Sequence, residues 1–446
     1  MRTRSGAAMT AVLLAAAVSL HAQTPAPTER VSFDEAIQRA IQNNPSSAIA
    51  AAGILRAQAL LVEARANARP QINGTITTTT LARSVEFQGT TVTPRNAVAA
   101  SLDFRTPLYA PALWAQRAQA QESTQVAEFS AADTRRQTAF ATADAYLIII
   151  ARRRVVEANE RARDTARAHF DLAHELEQRG RGSRLNELRA QQEVSTDEGL
   201  VEVARLALYE AQEALGVLLA ADHAVDAGDE PAFVLPGDVQ PSPAPAAGAT
   251  PAPGPVFQGL QMPADLFQRR TDLRLATAQE QLAEHVLRDS SKDYYPSLEA
   301  IFQPQTTYPA QFFVPSTTAQ FLLQLSVPIF LSGHRRGVRG ERQAALNISK
   351  ANLEAAAIQA RSEVRAGQEA VESAQRALAS ARAADDEAQQ VVNIVNISFR
   401  AGASTNIEVI DAQRSARDVD TAVAVAEDTL RRARLNLLTA IGRFPQ

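Results

Sequence analysis

Apolar residues recur along this chain with two periods, and the change from one to the other marks out its elements. Beyond residue 405, Val409, Ala416, Val423, Leu430 and Leu437 stand seven apart. Ala412, Val419, Ala426, Ala433 and Ala440 form a second series three residues on. Two apolar positions per seven make the narrow seam of a coiled-coil helix. The second series is nearly all alanine, so a facing helix can approach closely.

An earlier stretch carries the same seam, in Val194, Val201, Leu208 and Leu215 with Ala204, Ala211 and Leu218. Matching turns precede the two helices, RGRGS at 179–183 and RAGAS at 400–404, with Gly180 answering to Gly402. A repeat of roughly 220 residues is too long for a solenoid unit and reads as a duplicated half.

Each half holds one very long helix. From Pro111 to about Gln178 no proline intervenes and the helical period persists; some 65 residues at 1.5 Å each give about 100 Å. The counterpart covers about 338–398, with Val371, Leu378 and Val392 beside Ala374, Ala381, Ala388 and Val395, and with Asp385 on the seam. Shorter helices are predicted from Ser32 to Arg69 and over about 263–290. Ser32 with Glu35 has the spacing of a capping box, Asn44-Pro45 interrupts the first of these helices, and Pro70 stops it.

Between short and long helices the period falls to two. Residues 71–82 are rich in threonine and isoleucine, 83–95 read as a polar loop, and 96–108 alternate. There Val98, Ala100, Leu102 and Phe104 lie on one face, and Ala99, Ser101, Asp103 and Arg105 on the other. In the second half strands are predicted at about 296–304 and 317–329. The latter sets Ala319, Phe321, Leu323, Leu325, Val327 and Ile329 against Thr318, Gln320, Gln324 and Ser326, and only Leu322 breaks the polar face. Pro107 and Pro328 close the two hairpins.

These lengths fit a rod, with short helices stacked along the long pairs, hairpins at one end and glycine turns at the other. About thirteen residues at 3.3 Å, tilted near 45°, cross roughly 30 Å, the thickness of a bilayer core. An alternating face suits a transmembrane barrel, lipid outside and water inside. Tyr109, Tyr294, Tyr295 and Phe330 stand at the helix-side strand ends, where an interfacial aromatic girdle belongs. Four strands cannot close a barrel, and open edges in lipid leave backbone groups unpaired. The chain must therefore oligomerise, and geometry allows either a dimer of eight strands or a trimer of twelve.

Composition narrows the setting. The net charge of −4 gives no basic field for nucleic acid, and aromatic residues are only 5%. Residues 1–22 read as an export signal, with Arg2 and Arg4 before a short apolar run and a cleavage site at Leu20-His21-Ala22. The absence of cysteine excludes disulfides, thiolate metal sites and a lipidated N-terminal cysteine. Residues 222–262, with PSPAPAAGATPAPGP, read as a linker. The expected organisation is thus a signal (1–22), a first repeat (23–221), a linker (222–262) and a second repeat (263–446).

Taken in order, the motifs resemble the TolC-like outer-membrane efflux family. VSFDEAIQRAIQNNPSSAIAAAG resembles its opening helix, ARPQINGTIT and YYPSLEAIF its proline-led strands, VPIFLSGHRRGVRGERQA its strand-to-helix junction, and FRAGASTNIEVIDAQ its periplasmic turn. The resemblance implies a mainly α fold with a transmembrane β contribution: a homotrimer with a twelve-stranded barrel in outer-membrane lipid above a periplasmic helical barrel. It implies docking through a periplasmic adaptor onto an inner-membrane pump of RND, ABC or MFS type, and export of cargo without enzymatic chemistry or a cofactor.

It further implies that Glu408 and Asp411, one helical turn apart, ring the tunnel constriction. The first-half counterparts, Asn186 and Arg189, lack the acids, and Ser404 stands where some members carry a basic latch residue. The tip residues Arg179, Gly180, Gly182, Ser183, Arg400, Gly402 and Ser404 are the expected adaptor contacts. The competing reading is a periplasmic coiled-coil adaptor or scaffold, which also has paired helices. His169 and His174, five apart, fall on different helix faces and make a poor metal pair, and no HExxH motif, phosphate loop or nucleophile elbow is present.

Overall fold

A computed structural model describes residues 29–235, 266–312 and 314–444. The chain begins with β1 (Glu29–Val31), α1 (Phe33–Asn43) and α2 (Pro45–Asn67). The predicted single helix is thus two. Asn44 ends the first by donating its amide to the Ala40 carbonyl at 2.9 Å, and starts the second by accepting the Ser46 amide at 2.9 Å. Pro45 follows at the first helical position, where no amide hydrogen is needed. Ser32 caps α1 from one side only: its hydroxyl accepts the Glu35 amide, but no bond from Glu35 returns to complete the box.

Next come β2 (Gln71–Thr80), the short β3 (Val85–Phe87) and β4 (Thr90–Thr93), and β5 (Asn96–Tyr109). The span predicted as loop therefore contains a small hairpin, turned at Gln88-Gly89 where both residues take positive φ. The long helix α3 (Pro111–Gln178) and α4 (Arg184–Leu218) follow, then β6 (Val225–Ala227). The second half replays this order with α5 (Leu266–Arg269), α6 (Thr271–Arg288), a 3-10 turn over Asp289–Tyr294, β7 (Ser297–Tyr308), β8 (Thr317–Ser326), α7 (His334–Arg400) and α8 (Asn406–Ala440). At 68 residues, α3 is about 100 Å long.

The helical turns are built alike. At both, a left-handed glycine (Gly180 at φ +68°, Gly402 at +78°) lets the following amide reach back to a helix carbonyl, from Arg181 to Leu176 and from Ala403 to Ser398, each at 2.8 Å.

The β2, β5, β7 and β8 strands form one antiparallel sheet in that order, so the two repeats join where β5 pairs with β7. β7 runs four residues beyond its predicted end, while β2 and β8 stop short of theirs. Pro107 sits at a register shift inside β5 rather than closing the hairpin.

The main apolar core lies at the waist of the rod. It gathers Val31, Phe33, Ile37, Tyr146, Ile149, Ile150, Leu215, Val225, Leu435 and Leu437. Two segments expected to be irregular enter it. β1, between the predicted export signal and the first helix, pairs in parallel with β6, in the predicted linker. The Tyr146 hydroxyl accepts the amides of Gly228 (3.0 Å) and Asp229 (3.1 Å) and lies against the Val31 carbonyl and the Asp229 carboxylate. Residues 222–235 are therefore structural. The remainder of the predicted linker and the export signal fall outside the described residues.

The α8 seam is buried at Val409, Ala412, Ala416, Leu430, Ala433, Leu437 and Ala440 and half-buried at Val419, Val423 and Ala426. On α7 the last buried residue is Leu378, and Asp385 lies beyond it, half-buried. The α4 seam is buried at Val201, Ala204, Ala211 and Leu215 and half-buried at Val194, Leu208 and Leu218, but its tip half also buries charge, which the apolar pattern did not announce. Glu187, Glu193 and Asp197 are buried there, at 4%, 3% and 4% exposure.

Candidate functional site

The functional geometry lies at the two ends of the rod. At one end, cross-strand register turns four separate alternations into a single amphipathic surface. Ile72 faces Phe104, Gly74 faces Leu102 and Ile76 faces Ala100. Phe104 meets Phe302, with ring centroids 5.9 Å apart, and β8 continues the row with Phe321, Leu323 and Leu325 opposite Phe302, Ala300 and Leu298. The opposite surface carries Asn73, Thr75, Ser101, Asp103, Gln303, Gln305, Gln320 and Gln324. Leu322, the apolar break of β8 on that face, is the partner of Ile301 of β7, which is also apolar and is buried. Ile72, Ile76, Leu102, Phe321, Leu323 and Leu325 are all exposed, an arrangement with no reward in water.

The predicted aromatic residues collect beneath this sheet. Tyr109 packs edge-on against Trp114 at 5.6 Å, the Arg335 guanidinium lies 4.3 Å over the Tyr294 ring, and Tyr295 and Phe330 are exposed.

At the other end the four tip segments meet in one polar cluster. Asn406, buried at the start of α8, accepts a bond from His169 Nε2 of α3 at 2.7 Å, and its amide nitrogen donates to the Asn186 carbonyl of α4 at 3.3 Å. The His169 ring lies 5.2 Å from Phe399 of α7. Burial holds the His169 pKa below the ordinary histidine range, which keeps the ring neutral.

Ion pairs lie next along the hairpins. Arg414 grips both Glu193 oxygens (2.9 Å and 2.5 Å), Arg417 reaches Asp197 at 2.7 Å, and Arg161 holds Asp420 at 3.0 Å and 2.8 Å. Burial raises the Asp197 pKa above that of a free aspartate. These residues escaped sequence reading because their partners lie 220 to 259 positions apart in the chain. The available signal was the repeat itself, which aligns the two hairpins.

Glu408 and Asp411 are exposed at the start of α8. Glu408 also completes a reciprocal cap: its carboxylate accepts the Thr405 amide at 2.8 Å while its own amide donates to the Thr405 hydroxyl. The predicted contact residues also shape their turns. Ser183 caps α4, Ser404 donates to the Val395 carbonyl at 3.1 Å, and Arg179 pairs with Glu175. His174 joins Glu187 rather than His169, and no cluster suited to a metal ion occurs among the described residues.

Comparison with known proteins agrees with this geometry. Residues 262–443 match the model of the family described as outer membrane efflux protein. No curated relative matches the chain by sequence. Among solved structures, a membrane protein from Pseudomonas aeruginosa is similar with a TM-score of 0.77 at 18% identity, covering 93% of this chain and 91% of that one. The outer membrane protein VceC from Vibrio cholerae gives 0.74 at 16%, with 92% and 96% covered. The CmeC outer membrane channel of Campylobacter jejuni gives 0.76 at 14%, with 92% and 85% covered.

Proposed function

We propose that this chain, a TolC-like outer membrane efflux protein by its second repeat and by its fold, is the passive exit duct of a tripartite efflux or type I secretion machine. The observation that carries the reading is the sheet. It is apolar and exposed on one face, polar on the other, and open at both edges, and it stands on helices of about 100 Å. Three copies supply twelve strands and finish the wall, with the apolar face toward outer-membrane lipid and the polar face toward water. The helices extend the conduit through the periplasm, and the turns at 179–183 and 400–404 meet a periplasmic adaptor that links it to an inner-membrane pump.

In this assembly Glu408 and Asp411, repeated by three-fold symmetry, line the narrow mouth. Exposed carboxylates there favour cations and attract divalent ions. Single-channel conductance in planar bilayers tests both levels of the reading. Glu408→Ala with Asp411→Ala should raise the current and weaken block by divalent cations. Unchanged current and block would remove the acids from the constriction. A protein that stays monomeric in water without detergent and gives no current would remove the duct.

A further inference from the structure

A cavity of about 590 Å³ opens where α6 and the 3-10 turn meet the start of α7, directly below the ends of β7 and β8. Its wall is strongly basic: Arg288, Arg335, Arg339 and Lys350 line it, against the single acid Glu284. Neighbouring cations are neutralised, Lys292 by Asp289 at 2.9 Å and Arg342 by Asp293 at 2.7 Å. Arg288, Arg339 and Lys350 form no ion pair with any described residue, and Arg335 lies on the Tyr294 ring. Beside this basic wall the chain leaving β8 exposes Ile329, Phe330 and Leu331.

Convergent cations without an acidic partner fit a phosphate, and the apolar strip that leads from β8 to α7 fits hydrocarbon. We propose that the cavity binds the phosphate headgroup of an anionic phospholipid from the leaflet facing the helices, with the acyl chains laid along Ile329–Leu331. This rests on the membrane-spanning reading of the sheet. The Tyr294 ring and the stacked Arg335 place the headgroup at interface depth, and the lipid anchors the rod against tilting at its junction with the barrel.

Native mass spectrometry of the full-length protein, titrated in detergent with phosphatidylglycerol, diacylglycerol or inorganic phosphate, tests the site. Phosphatidylglycerol should be retained, diacylglycerol should not, and inorganic phosphate should compete weakly for want of a tail. Each basic residue near an anionic lipid is worth about fivefold, so R288Q/R335Q/R339Q should weaken retention roughly a hundredfold. R288K/R335K/R339K should stay close to wild type. If the glutamine triple fails to assemble, R339Q alone, at an exposed position, should still cost about fivefold.

Equal retention by wild type and the glutamine variants overturns the proposal. So does altered anion permeability with unchanged lipid retention, which would assign the cavity to a solute in the lumen. Conductance on the same preparations separates the levels. Intact current with charge-independent lipid binding sinks the lipid site alone, and absent current sinks the duct.

Discussion

Arg417→Met tests the buried charges at the tip. Arg417 reaches Asp197 at 2.7 Å and approaches Glu193 at 3.7 Å, and both acids are almost wholly buried. Removing one member of a buried pair costs about 3–5 kcal/mol, since the other charge is left without compensation. Arg414 remains on Glu193, so the lower figure applies, and about 3 kcal/mol corresponds to roughly 150-fold more frequent local opening. Hydrogen exchange of the assembled protein, read over residues 186–201 and 406–420, should show that loss of protection while the waist stays protected.

The effect has a definite pH sign. Burial already raises the folded-state pKa of Asp197, so its ionised form is the unfavourable one, and losing Arg417 raises it further. Acidification through that raised value protonates Asp197 and restores protection, and the defect returns as pH rises. Asp197→Asn in the same background should abolish the pH dependence and recover most of the protection. Normal protection of Arg417→Met at neutral pH, or a defect that deepens on acidification, would refute the reasoning.

Two other expectations concern the waist and the sheet. Tyr146→Phe strands the Asp229 amide, while Gly228 keeps its bond to the Val31 carbonyl at 2.8 Å, and should cost about 1–2 kcal/mol, seen as a lower Tm; because burial pushes the Tyr146 hydroxyl well above the ordinary tyrosine range, the wild-type bond should persist into alkaline solution. Leu323→Arg, on the apolar face opposite Ala300, should reduce membrane-inserted protein by about 2–4 kcal/mol of insertion free energy in a urea-refolding assay into vesicles, while Gln324→Arg on the polar face should change little.

How far the sequence carried depended on whether a feature has a period. The long helices were legible because nothing between Pro111 and Gln178 interrupts them, and the glycine turns because both repeats preserve them. The sheet face was legible strand by strand. The reason for Leu322 was not, since its partner Ile301 becomes visible only in register. β1 and β6 are three residues each, too short for periodicity, and their value comes from pairing across the waist. The buried acids of α4 were hidden because a heptad reading assigns apolar residues to a seam, whereas Arg414 and Arg417 of the other repeat permit charge there. Ser32–Glu35 and Thr405–Glu408 share one capping pattern, and only the second closes reciprocally. Glu408 and Asp411 are exposed near the start of α8, and Glu408 also closes its cap.

The sheet's two outer strands, β2 and β8, differ in sequence, so in the three-membered ring proposed above each copy presents one to a neighbour on its left and the other to a neighbour on its right. Such a ring has no internal tolerance for a faulty member, because one spoiled border leaves a gap that lipid cannot line. In a cell expressing sound and damaged copies together, the yield of complete three-membered rings would fall as the cube of the sound fraction, and a lesion confined to β8 would be inherited as dominant.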